Sequence, residues 1–148
     1  MVTLAILAIL AAAALPYAEM TIVRNKELEL RRALRDVRTA IDELHEDWNL
    51  GEISKQADGV SEDGYPKSLQ ILVEGVETGK AEGTKHKYLR RIPTDPFAAD
   101  PTTPPGEQWA IRGYRDEVDS YVLGGADVYD IRSRSDRTAL NGTKYANW

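Results

Sequence analysis

Hydrophobic and polar positions fall into four regimes along the chain. Residues 1–15, MVTLAILAILAAAAL, place Leu, Ile and Ala on every face of a helix. A helix that is apolar all round is buried in lipid or among other helices. Pro16 follows, and its missing N–H and bulky ring predict a local kink or loosening. From Thr21 to Trp48 there is neither Gly nor Pro. There Leu30, Leu34, Val37, Ile41, Leu44 and Trp48 recur at spacings of 4, 3, 4, 3 and 4, the apolar stripe of an amphipathic helix laid against a small domain. Fewer than three heptads of this stripe argue against a free coiled coil. Together the two segments predict a spine of roughly 70 Å at 1.5 Å per residue. The chain then divides into an apolar helix half (1–18), an amphipathic helix half (19–48) and a globular head (49–148).

Past the spine the pattern changes. Residues 49–64, NLGEISKQADGVSEDG, are polar and punctuated by glycine, which predicts a loop. Pro66 suits a first helical position, and Leu69, Ile71, Leu72, Val73 and Val76 supply an apolar face. The expectation is a second helix over about 66–78, ended by Gly79. Four short stretches follow: KYLRRI (87–92), EQWAIRGY (107–114), VDSYVLG (118–124) and VYDIRSR (128–134). Their aromatic and β-branched residues near alternate positions, with glycine turns between, predict a small antiparallel meander. In the tail, Asn141-Gly142 marks a turn, and Tyr145 and Trp148 are placed to pin the end of the chain onto the head. The fold class expected is α+β.

Charge narrows the function. The 148 residues carry a net charge of −5 and a pI near 5.1, unlike the basic footprint of a nucleic-acid binder. Residues 22–38 hold six basic and three acidic side chains, whereas 42–47 hold four acids and no Lys or Arg. Acids at a helix C-terminus oppose the macrodipole, so they meet basic partners elsewhere or form a solvated face. With no cysteine there is neither a disulfide framework nor a thiolate metal site.

Catalytic chemistry is not legible. Only His45 and His86 could serve as imidazole bases, and neither has a nucleophile motif around it. Both read as exposed structural residues. Phosphate-binding glycine loops are missing. The reading is a non-enzyme. Oxygen ligands for a hard cation occur in two stretches: ADGVSEDG (57–64), with Asp58, Ser61, Glu62 and Asp63, and SRSDRTALN (133–141), with Ser133, Ser135, Asp136 and Asn141. Neither has EF-hand spacing, and an ordinary polar loop is the simpler reading of each.

The order of parts carries a resemblance. The start VTLAILAILAAAALP, the stretches YPKSL, YLRRIPTDPF and VYDIRSRSD, Trp109, and the ending ALNGTKYANW resemble the type IV pilin superfamily. The closest likeness within it is to the major, G-type pseudopilin of type II secretion. The likeness covers nearly the whole chain, and Pro16 matches that family's helix-breaking proline. It implies a pilin-like fold and a structural subunit without catalytic activity. Such a subunit is held in the bacterial inner membrane by a single pass, with its head in the periplasm. It assembles with copies of itself and minor pseudopilins into a short fibre that helps export folded proteins. A platform protein and an ATPase act indirectly, and a prepilin peptidase cuts and methylates the N-terminus. Leu4, Ile6, Leu7, Ile9, Leu10 and Pro16 are the helix residues expected in the membrane and the fibre core.

Two departures from the family matter. Its basic leader, its G-F-T-L-I-E cleavage motif and its early glutamate do not precede MVTLAI, so the expectation is a start codon placed at an internal Met. An early membrane glutamate is costly without a partner, and a chain lacking it is expected to insert but to assemble poorly. The family also holds calcium in its C-terminal loop. Here Ser133, Asp136 and Asn141 are the residues to which the resemblance carries that role. Asn141 stands where relatives often show Asp, and a neutral amide weakens such a site. Two other classes share features of the chain. A type IV pilin or competence-type minor pilin shares the N-terminus but usually closes its head with a C-terminal cysteine pair. A membrane-anchored periplasmic binding domain would carry a ligand pocket in the head.

Overall fold

A computed structural model describes residues 2–79, 83–121 and 125–148; the side chains of residues 2, 4–5 and 8–16 fall outside that description. Helix α1 runs unbroken from Val2 to Leu50, about 73 Å at the standard rise. The helix continues through Pro16, the position where a local kink or loosening is expected. Every described side chain from Tyr17 to Ile22 on this stretch is exposed. The predicted stripe is buried: Leu30, Leu34, Val37, Ile41 and Leu44 are at most 3% exposed, joined by Ala33 and Ala40. The helix ends as a Schellman motif. Gly51 N–H donates to Trp48 O, Glu52 N–H donates to Asp47 O, and Gly51 takes φ +77°, a conformation that glycine adopts without a Cβ penalty.

The head builds its core on that stripe. Helix α2 is Leu69–Glu74, shorter than the 66–78 expected. Gly75 stops it at φ +86°, and a Cβ there would stand 2.6 Å from His86 O. The next residues leave the helix and pair: β1 (Val76–Glu77) is antiparallel to β2 (Lys85–His86), with Val76 opposite His86. Glycine at this point serves the close approach of two backbones, which outweighs the helical pattern of the preceding apolar face. KYLRRI (87–92), expected as a strand, forms none. Tyr88 and Leu89 N–H both donate to Leu72 O at the end of α2, and the segment then runs into Pro93.

Two of the other expected strands are present: β3 (Trp109–Arg112) and β4 (Asp130–Ser133), antiparallel, with Ile111 opposite Ile131. VDSYVLG contributes no strand over 118–121, and its residues 122–124 lie outside the described ones. Among the described residues the expected meander is thus reduced to the β3–β4 pair, and β1–β2 forms a separate two-stranded sheet before it. Mixed helix and sheet, with one long N-terminal helix and small antiparallel sheets, makes the fold α+β. Trp109 is fully buried, and its Nε1–H donates to Pro93 O at 3.0 Å, so the indole fills the core with its one polar atom satisfied. The loop expected over 49–64 begins after Leu50, and it carries isolated bridges of Ile53 to Thr78 and Val60 to Pro66.

Candidate functional site

The boundary between the free and the packed part of α1 falls at Glu27. Ile6, Leu7, Tyr17, Met20 and Ile22 are all more than half exposed, while Glu27 is 9% exposed and Leu30 is fully buried. Glu27 lies three residues before Leu30, so it occupies a stripe position. Its Oε1 accepts from Leu140 N–H at 2.7 Å and from Tyr145 O–H at 3.0 Å. Burial, and then the Glu27 hydrogen bond, push the Tyr145 phenol pKa up.

Around that carboxylate the tail closes onto the helix. Phe97 stacks on Tyr145 at 3.9 Å, Tyr145 meets Trp148 edge-on at 5.2 Å, and the Arg31 guanidinium sits 4.3 Å over Trp148. Arg38 donates from Nε to Asp130 Oδ1 at 2.8 Å, and from Nη2 to Ile131 O and Trp148 O. One guanidinium thereby joins α1, β4 and the tail. The pinning expected of Tyr145 and Trp148 is present.

The predicted membrane-helix residues divide. Ile6 and Leu7 are exposed, at 52% and 62%. Leu4, Ile9, Leu10 and Pro16 sit on the same helix, and their side chains lie outside the described residues. Among the described residues, no helix is long and apolar enough to cross a membrane.

The three residues assigned to calcium sit in the same C-terminal stretch, with different partners. Ser133 is buried; its hydroxyl donates to Asp95 Oδ2 at 2.6 Å and accepts from Ser135 N–H at 3.1 Å. Asn141 Oδ1 accepts from both the N–H and the O–H of Thr143. Asp136 is exposed. The set offers one carboxylate, that of Asp136, while the Ser133 and Asn141 oxygens each accept from protein donors. Hard cations take several oxygen ligands at once. In the other stretch, Asp63 pairs with Arg115 at 2.7 Å and the Ser61 hydroxyl accepts from Tyr65 N–H. Among the described residues, no three His, Cys, Asp or Glu converge as a metal group would need.

Two buried acids were not anticipated. Asp95 Oδ1 accepts from Phe97 N–H, which together with the Ser133 contact fastens the PTDPF turn to β4. Asp127 Oδ1 accepts from Tyr114 N–H, and Asp116 Oδ2 accepts from Gly113 N–H, so two carboxylates hold the turn after β3. Asp95 has a local signal, a carboxylate that caps the backbone two residues on, whereas Asp127 acts on Tyr114, 13 positions away, and has none.

His86 is exposed, as expected, and His45 is not. His45 is half-buried, stacked on Tyr65 at 4.2 Å and near Trp48 at 5.9 Å, and its Nδ1 faces Gly64 O. A carbonyl only accepts, so Nδ1 carries the proton. Tyr65 also stacks on Tyr114 at 5.0 Å. Burial, and then its tyrosine and aspartate neighbours, push the Tyr65 pKa up to about 12. His86 lies in β2, 3.2 Å from Asp47 Oδ2, which also accepts from Tyr88 O–H at 2.8 Å. One of the α1 acids is thus met by an imidazole and a phenol of the head. No nucleophile, base and orienter are brought together among these contacts.

Comparisons with family models, with curated proteins and with solved structures found no match.

Proposed function

We propose that this chain is a structural subunit of a type II secretion pseudopilus, anchored in the bacterial inner membrane and polymerised into a periplasmic fibre that helps export folded proteins. The observation that supports this best is the division of one helix. Beyond Glu27 towards the N-terminus α1 carries exposed apolar side chains and no charge before Glu19; on the other side its stripe forms one wall of the head core. A lone helix half with that composition needs an apolar environment. The bilayer provides one before assembly, and neighbouring helices provide one in a fibre. The absence of cysteine favours this reading over a type IV or competence-type pilin.

The test places a prepilin leader ahead of the chain and expresses it with a secretion platform, its ATPase and a prepilin peptidase. The expected result is membrane fractionation of the precursor, and sheared fibres that bind antibody to the head under electron microscopy. A processed chain that stays monomeric in the membrane, or that fractionates with soluble proteins, would overturn the proposal and favour an anchored binding domain.

A further inference from the structure

The head carries a groove and a knob at opposite ends. The groove is open, about 1720 Å³ in volume, and lies between α1 from Asn25 to Asp36 and the segments 88–94 and 104–107. Its floor is apolar, with Leu28 at 60% exposure beside half-buried Leu89 and Ile92. Four guanidinium groups line it: Arg32, Arg35, Arg90 and Arg91. None of the four has an ion pair or side-chain hydrogen bond among the described residues. Glu29, Asp36 and Glu107 share the lining, so the cations exceed the acids by one.

The knob is the turn after β3. At its tip Val118 is 76% exposed, and no large apolar side chain among the described residues is more so. Glu117 and Asp119 flank it, both exposed and likewise without a side-chain partner. The turn is held in shape: Arg115 pairs with Asp63, Asp116 accepts from Gly113 N–H, and Ser120 N–H donates to Glu117 O. A pre-ordered tip loses little freedom on docking.

The two features cannot meet within one chain. Tyr114 stacks on Tyr65, which stacks on His45, so the knob stands at the level of His45 on α1. The groove spans the level of residues 25–36, about 20 Å away along the helix axis at 1.5 Å per residue. We infer that the occupant of the groove is the Glu117-Val118-Asp119 tip of a second copy, with Val118 on the apolar floor and its two acids against the arginine rim. Knob and groove are different surfaces, so the contact is head-to-tail. Contacts of that kind propagate into open helical assemblies when the rotation does not close. The inference rests on the fibre-subunit reading and names the head contact that would join its copies.

Charge reversal tests it, using the full chain in the fibre assay and in membranes. Glu117→Arg with Asp119→Arg, and separately Arg90→Glu with Arg91→Glu, should each lower fibre yield by at least about tenfold, since like charges then face each other. Combining all four changes in one chain should restore it. The chain has no cysteine, so Val118→Cys mixed with Leu28→Cys should give a disulfide dimer, and both changes in one chain a ladder. Unchanged melting temperatures show that the exposed substitutions leave the head folded. Fibres that form equally well with either reversed pair would overturn the inference and leave the fibre reading standing, as would a Val118→Cys dimer formed without the groove cysteine. Failure of the unmodified chain to form fibres would instead remove the reading on which the inference rests.

Discussion

Glu27→Ala separates the clamp between tail and helix from the rest of the core. The Glu27 carboxylate accepts two hydrogen bonds, from Leu140 N–H and Tyr145 O–H, each worth about 1 kcal/mol net. Leu140 is 46% exposed, so water can replace the carboxylate there, whereas Tyr145 is 1% exposed and its hydroxyl would be stranded. Stranding a buried hydroxyl costs about 1 kcal/mol more, for a total loss of about 3 kcal/mol. For a chain of this length that lowers the melting temperature by about 6–12 °C. Tyr145→Phe removes one bond and leaves Glu27 its other partner, costing about 1 kcal/mol. The double variant should cost about 2 kcal/mol, less than Glu27→Ala alone, because no hydroxyl remains to strand. Urea unfolding in detergent micelles, followed by tryptophan fluorescence with Trp148 as a local reporter, measures all three. A Glu27→Ala loss under about 0.5 kcal/mol, or strict additivity in the double variant, would refute the clamp.

Arg38→Ala should cost about 2 kcal/mol, since it removes three hydrogen bonds around a partly exposed guanidinium, and Arg38→Lys should recover little because only a planar fork reaches Asp130, Ile131 O and Trp148 O together; denaturant midpoints of the two variants decide this. Burial pushes the Tyr65 phenol up to about 12 from its ordinary value of 10.0. The folded state therefore holds its proton longer, and stability should be full below pH 10 and fall as pH rises towards 12, with a smaller fall in Tyr65→Phe; unfolding midpoints across that range and tyrosinate absorbance provide the check. Calcium or a chelator should leave the melting temperature unchanged, because the Ser133 and Asn141 oxygens already accept from protein donors; a calcium-dependent rise abolished by Asp136→Ala would show that the loop rearranges to bind the ion.

Much of the spine was readable from spacing alone. A 3.6-residue period needs no partner to be recognised, so Leu30, Leu34, Val37, Ile41 and Leu44 declared both the helix and its buried face. The β3 and β4 segments were legible for the same reason: their apolar residues sit near alternate positions and turns bound them. The tail's aromatic residues were legible as anchors because large rings so close to a polar chain end require burial.

What remained hidden depended on contacts between distant residues. The second helix stopped four residues early because Gly75 had to lie against His86, eleven positions away, and no local pattern encodes that approach. Glu27 looked like one charge among many until Tyr145, 118 residues on, met it. Ser133 and Asn141 read only as polar loop residues, and their partners Asp95 and Thr143 came from the fold. The placement of the knob and groove at opposite ends of the head likewise follows from the packing of Tyr114 on Tyr65 and of Tyr65 on His45. Periodicity is a property of neighbours in the chain, and the sequence by itself determined the elements that depend on it. Satisfaction of polar groups and close approach of backbones are properties of neighbours in space, and only the tertiary structure decided those.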